Sequence, residues 1–245
     1  MLFSGHFIYD TSQFGGIPRL DRSVTETFGY LLLTDLPRAL KVESLDDVVK
    51  THPDFVPQWK TDRLGGMENP KFGKLSHVVV CKRDGTPLFD QYQIEEKPGA
   101  VIIPYEEHNK NIRVGLVSQE RVIPGKYYVE VPRGFGEGDE SLLETAYREL
   151  FEETGLVSKD LRVIGKINPN TAFYATDIKV VAARFENLNR IKNPRSFSIV
   201  ENIQKVETYS FKDIVKLMKS GRLDCGITQA ALFKFGTYKP EFFRG

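Results

Sequence analysis

The spacing of apolar and polar residues changes character near Leu75. Ahead of it, residues 1–70 hold short apolar runs (28–33) and turn clusters at Phe14-Gly15-Gly16 and Gly65-Gly66, with one helix expected at 45–50 behind Ser44. Beyond it the pattern is that of strands. Residues 76–82 and 87–95 flank Asp84-Gly85, a hairpin signal. Residues 99–105 and 112–120 are two more apolar strands about a polar turn at 107–111, and 161–167, 178–185 and 203–209 read as strands as well. Helices are expected at 211–219, behind Ser210, and at about 228–235. Strands of mixed order with helices on both sides argue for an α+β fold, an α/β/α sandwich about a mixed sheet.

Residues 134–156, GFGEGDESLLETAYRELFEETGL, stand apart by their chemistry. Ser141 with Glu144 three positions on is a capping box, so a helix should begin near Ser141. Gly155 can end it, because glycine turns left-handed without a Cβ penalty. Between them Leu143, Ala146, Tyr147 and Leu150 fall at helical spacing and are expected to form the buried stripe. Glu149, Glu152 and Glu153, at i, i+3 and i+4, are expected on a different face. Three carboxylates on one face repel each other unless a cation sits among them. Hard oxygen ligands on a rigid helix suit Mg²⁺ or Mn²⁺, which also hold phosphate oxygens. A lone Glu-Glu pair is usually a solvated face; the fixed register of the whole stretch argues otherwise here.

Composition narrows the class. A chain of 245 residues allows one large domain, or a core with a sizeable extension. Lys and Arg number 34 against 33 Asp and Glu, a net charge of +1, so no field favours nucleic acid or an anionic membrane. Cys81 and Cys225 are too few for a disulfide framework or a zinc site, and His6, His52, His77 and His108 match no metal or triad spacing. MLFSGHFIYD has no basic n-region ahead of an apolar h-region, and the longest apolar run, Tyr30-Leu31-Leu32-Leu33, is too short to span a bilayer. The expectation is a cytoplasmic protein with no membrane partner.

Written as fixed positions, the stretch is Gly134, five residues, Glu140, seven residues, then Arg148-Glu149-Leu150-x-Glu152-Glu153-x-Gly155-Leu156. This spacing is similar to the complete box of Nudix hydrolases, enzymes that cleave nucleoside diphosphates linked to another moiety. Ahead of it, Gln119-Glu120-Arg121 and Glu130-Val131-Pro132-Arg133-Gly134 resemble the Gln-x-Arg strand end and Glu-x-Pro-x-Gly turn of ADP-ribose pyrophosphatases. Thr228-Gln229-Ala230-Ala231-Leu232 resembles the opening of their final helix. Two positions depart from that subfamily: Thr171-Ala172 stands where Pro-Gly is common, and Arg133 where alanine is more familiar.

The resemblance implies a division of the chain and a set of roles. Residues 1–75 become an N-terminal extension, 76–96 a β-hairpin arm, 97–236 the Nudix domain and 237–245 a C-terminal tail. Glu149 and Glu153, with the Gly134 carbonyl, are expected to hold Mg²⁺. Glu152 or Glu201 would take a proton from water, and Arg148 would pair with a box glutamate and orient it. Arg121, with Glu130 in the turn beside it, would serve substrate binding, and Arg133 either adds a phosphate contact or is a surface cation. The reaction implied is ADP-ribose to AMP and ribose 5-phosphate. Another nucleotide-sugar or dinucleotide pyrophosphatase, and a non-catalytic nucleotide sensor, are the alternatives. A homodimer is expected, with part of residues 1–95 packed on the partner, because such arms commonly reach across in the enzymes the chain resembles.

Overall fold

The computed structural model describes residues 40–58, 67–69, 72–121, 124–188 and 203–245. The apolar run at 28–33, the glycine clusters at 14–16 and 65–66, and Glu201 lie outside the described residues. Two sheets make up the rest. The smaller is built on β3 (Gly73–Lys82), which pairs with β4 (Pro87–Glu96) along one edge. Its other edge takes β1 (Leu40–Ser44) and β2 (Met67–Asn69) in succession. Gly85, at φ +92°, makes the β3–β4 turn expected from Asp84-Gly85. Helix α1 (Leu45–Thr51), capped by Ser44 as expected, buries Leu45 and Val48 against Val79 and Cys81. The described part of the extension and the arm are thus one sheet.

The larger sheet runs β11 (Ile203–Tyr209), β6 (Asn111–Arg121), β5 (Gly99–His108), β10 (Ile178–Phe185), β9 (Asp160–Ile167). Among the described strands of this sheet only β5 and β10 pair in parallel, so the sheet is mixed. The β5–β6 turn is tighter than the expected 107–111. Asn109 and Lys110, both at positive φ, close it in two residues, which suits the twist of a hairpin.

Alternation along β5 and β10 builds both cores. Ala100, Ile102, Val181 and Ala183 face one side, against Ala146 and Leu150 of α2 (Leu142–Thr154). Val101, Ile103, Val180 and Ala182 face the other. There they meet Ile214 and Leu217 of α3 (Phe211–Lys219) and Ala231, Leu232 and Phe235 of α4 (Gly226–Tyr238). A strand covered on both faces must be apolar throughout, as β5 is. The expected α/β/α sandwich is the observed one.

A hairpin that opens creates the site. The β5–β6 ladder covers Tyr105↔Val114 to His108↔Asn111 and stops. The next residue of β5 is Pro104, which has no N–H to give a ladder, and its ring packs on Gly115. Beyond it the strands part. Two short strands, unforeseen in the sequence, fill the gap: β7 (Lys126–Glu130) on β6 and β8 (Arg133–Phe135) on β5. The expected C-terminal tail is also built in, as a 3₁₀ turn at Pro240–Arg244 that buries Phe242 in the α3–α4 core.

Candidate active site

Helix α2 has the limits its caps dictate. The Ser141 hydroxyl accepts from the Glu144 N–H, the Glu144 carboxylate accepts from the Ser141 N–H, and Gly155 ends the helix at φ +69°. Its buried stripe differs from the expected one. Leu143 and Tyr147 are 42% and 43% exposed, and the buried residues are Thr145, Ala146, Glu149, Leu150, Glu153 and Thr154. Ala146, Glu149, Leu150 and Glu153 fall at i, i+3, i+4 and i+7, one helical face. The carboxylates of Glu149 and Glu153 therefore share the face that packs on the sheet, at 6% and 4% exposure, while Glu152 alone stays exposed.

The sheet side of the site follows from strand parity. Gly134 pairs with Ala100, whose methyl faces α2, so a Cβ on Gly134 would point the same way and overlap the Glu149 carboxylate. The absent side chain is what lets Glu149 lie against the backbone of β8. Val129 and Val131 face the α4 side, which turns Glu130 to the α2 side. Glu130 pairs with Val117, and the same parity carries Gln119 and Arg121 to that side. Arg121 forms an ion pair with the buried Glu130 carboxylate. Burial opposes the Arg121 charge, but Glu130 and, farther off, Glu153 favour it, and its pKa is raised. The hairpin's opening thus gathers Arg121, Glu130, Gly134, Glu149 and Glu153.

Arg148 is the tie between helix and sheet. Its Nε and Nη2 donate to the two Glu140 oxygens at 2.8 and 3.0 Å, and its Nη1 to Glu149 at 2.9 Å and Glu152 at 3.0 Å. Nη2 also donates to the Phe135 carbonyl at 2.8 Å. These carboxylates, Glu140 first, hold the guanidinium pKa well above its ordinary value. The Arg148 hydrogen bonds, then the Glu137 N–H, pull Glu140 down to about 2. Glu140 is the residue that reading of the sequence passed over. It fills a fixed position of the box, yet its task of holding Arg148 shows only in three dimensions.

Arg133 is not brought to this group. It follows Val101 to the opposite side of β8 from Gly134, where its charge acts on Glu96 and Tyr174. An open hollow of about 700 Å³ on the outer side of α2 is lined by Glu140, Leu143, Tyr147, Arg148 and Lys159 among others, but by neither Glu149 nor Glu153, so it does not hold the buried carboxylates.

A family model for the NUDIX domain matches residues 95–223, which hold every residue just described. The chain belongs to the Nudix family. A solved structure described as the crystal structure of an ADP compounds hydrolase aligns at TM-score 0.52 over 81% of this chain and 91% of that one. Identity is 15%, so the likeness is one of fold. No curated protein matches the chain. Nudix hydrolases generally use divalent metal cations, and the donor set here fits one. Among the described residues no three His, Cys, Asp or Glu side chains form a metal site by themselves. Mg²⁺, however, commonly takes one or two carboxylates and completes its shell with water and substrate phosphate. Two buried carboxylates on one helix face, Glu149 against the Gly134 backbone and Glu153 one turn on, meet that need, and burying carboxylate charge is costly unless it is compensated. No helix among the described residues is long and apolar enough to cross a membrane.

Proposed function

We propose that this Nudix domain hydrolyses the pyrophosphate bond of a nucleoside diphosphate joined to a second moiety, with ADP-ribose giving AMP and ribose 5-phosphate as the foremost reaction. The observation that carries this is the pair of buried glutamates on one helix face, Glu149 lying against Gly134 and Glu153 one turn on, with Arg121 on the same side of the sheet. Glu149, Glu153 and the Gly134 carbonyl would hold Mg²⁺, which when bound neutralises phosphate charge and acidifies water. Arg121, kept charged and oriented by Glu130, binds the diphosphate through its guanidinium edge. Arg148 fixes Glu149 and Glu152 from one nitrogen while Glu140 fixes Arg148. Water oxygen forms the new bond to one phosphorus, the bridging P–O bond breaks, and a proton passes to Glu152 or Glu201. The Gln119-x-Arg121 and Glu130-x-Pro132-x-Gly134 elements support an ADP-ribose substrate over a nucleoside triphosphate, since Arg121 suits two phosphates.

The test compares kcat/KM for ADP-ribose, ADP-glucose, GDP-mannose, NADH and the common triphosphates, with and without EDTA, in wild type and Glu153→Gln. ADP-ribose should lead, EDTA should abolish turnover, and Glu153→Gln should cost on the order of 10²-fold or more, as loss of a direct ligand does. Turnover indifferent to EDTA or to Glu153→Gln would remove the catalytic assignment. A tenfold lead for a triphosphate, about 1.4 kcal/mol in transition-state binding, would remove the substrate alone.

A further inference from the structure

Arg121 owes its place to Glu130, and Glu130 stands on an edge strand. Among the described residues β7 pairs with no strand but β6, so the N–H groups of its outer edge need acceptors elsewhere. The connection between α3 and α4 and the first turn of α4 supply them. The Val129 N–H donates to the Arg222 carbonyl at 2.9 Å, and the Val131 N–H to the Thr228 hydroxyl at 3.3 Å. Val131 and Thr228 are each 1% exposed, so this second bond lies out of solvent. The connection is itself braced: Leu223 is fully buried, and the Gln229 side-chain amide donates to its carbonyl at 2.9 Å. At the start of β7, Lys126 and Asp224 form an ion pair at 3.7 Å, which at its exposure adds little.

Glu130 lies between the two tethered amides. The Val129 and Val131 side chains sit in the α3–α4 core, so both neighbours of Glu130 are held by backbone and by packing. The Glu130 carboxylate is then left one direction, toward the α2 side, where it meets Arg121. Nothing in the chemistry above uses the Thr228 hydroxyl. We propose that Thr228 is a positioning residue for substrate binding: its hydroxyl fixes β7 at Val131 and, through Glu130, sets the orientation of Arg121 toward the substrate diphosphate. Without that hydroxyl the buried Val131 N–H has no acceptor, a costly state that the strand end escapes only by moving. Glu130 moves with it, and a guanidinium freed to swing loses the fixed fork that suits two phosphate oxygens. Gly134 is held separately, by the pairing of β8 with β5, so Glu149 keeps its seat. The assignment rests on the reading of Arg121 as the diphosphate's partner.

Equilibrium binding of ADP-ribose to the full chain in EDTA tests this apart from metal chemistry. The variants are Thr228→Val, Thr228→Ser, Arg121→Ala and the double variant Thr228→Val with Arg121→Ala. Thr228→Val keeps the volume and removes the hydroxyl, and should weaken binding about tenfold. Thr228→Ser keeps the hydroxyl and should bind within about twofold of wild type, as a change that spares the interaction does. On the Arg121→Ala background, Thr228→Val should alter Kd by less than about twofold, because the arginine it positions is gone. Circular dichroism checks that each variant folds, and Thr228→Ala takes the place of a valine variant that does not. Unchanged binding in Thr228→Val, an equal loss in Thr228→Ser, or a full loss retained on the Arg121→Ala background overturns the proposal, as does a wild type that binds no ADP-ribose. Turnover of ADP-ribose alongside any of these leaves the hydrolase reading standing. The expected binding pattern without turnover of any nucleoside diphosphate derivative supports the role of Thr228 and removes the hydrolase reading.

Discussion

Gly134 has no side chain, and the Glu149 carboxylate uses the room. Gly134→Ala would push aside the end of a flexible side chain rather than backbone, so its cost should fall on catalysis more than on the fold. Turnover should drop at least tenfold while stability in urea changes by less than about 1 kcal/mol. Equal losses in both would mean that the glycine serves packing. Glu140 carries the clearest pH signature. Its folded-state pKa of about 2 lies below the ordinary 4.5, chiefly through Arg148, so its bond to Arg148 adds stability above about pH 4.5. That contribution is lost as pH falls toward about 2. Urea midpoints of wild type and Glu140→Gln should therefore differ at pH 7 and converge near pH 2. A gap that persists at low pH would assign the loss in the variant to something other than this carboxylate's charge.

Element limits were legible wherever a local rule sets them. The Ser141 capping box, Ser210 ahead of α3, Gly155 and the Asp84-Gly85 turn mark ends that the structure keeps. Facing was harder to read. Leu143 and Tyr147 look like core by hydropathy, but the sheet admits the face with Ala146 and Leu150, and two glutamates ride on it. A pattern of apolar residues does not reveal carboxylates that lie buried on the packed face of a helix. Strands β7 and β8 were illegible for another reason. At five and three residues they have too little alternation to register, and they exist because β5 and β6 part at Pro104. That parting also sets which arginine stands with the box glutamates. The resemblance implies Arg121 at the substrate and leaves Arg133 open between a phosphate contact and a surface cation; strand parity puts Arg133 on the opposite side of β8 from Gly134. The C-terminal residues illustrate the same limit: Phe242 is fully buried through contacts with Phe235 and with Phe211, the latter far from it in sequence. Phe242→Ala should cost about 3–5 kcal/mol, read as a lower urea midpoint. A loss under about 1 kcal/mol would make the terminal turn an appendage after all.

At the scale of the whole molecule, one face of the small sheet leaves apolar residues exposed. Helix α1 takes the side with Val79 and Cys81. The other side carries the cross-strand row Val42, Val80 and Phe89, in which Val42 and Phe89 remain exposed. Apolar residues in register on a sheet face are more than scattered surface positions, and such patches commonly mark contacts between proteins. The sheet also adjoins the catalytic half, since β4 meets the loop after β9 at Ile94 and Tyr174. We propose that this face packs on a second copy in a homodimer. The expected result in light scattering at micromolar concentration is a mass twice 27.9 kDa. Val42→Lys with Phe89→Glu should halve that mass, because charges on a buried apolar contact are expensive to desolvate. The wild type scattering as a 27.9 kDa monomer would end the dimer proposal. A dimer that survives both substitutions would move the interface off this face.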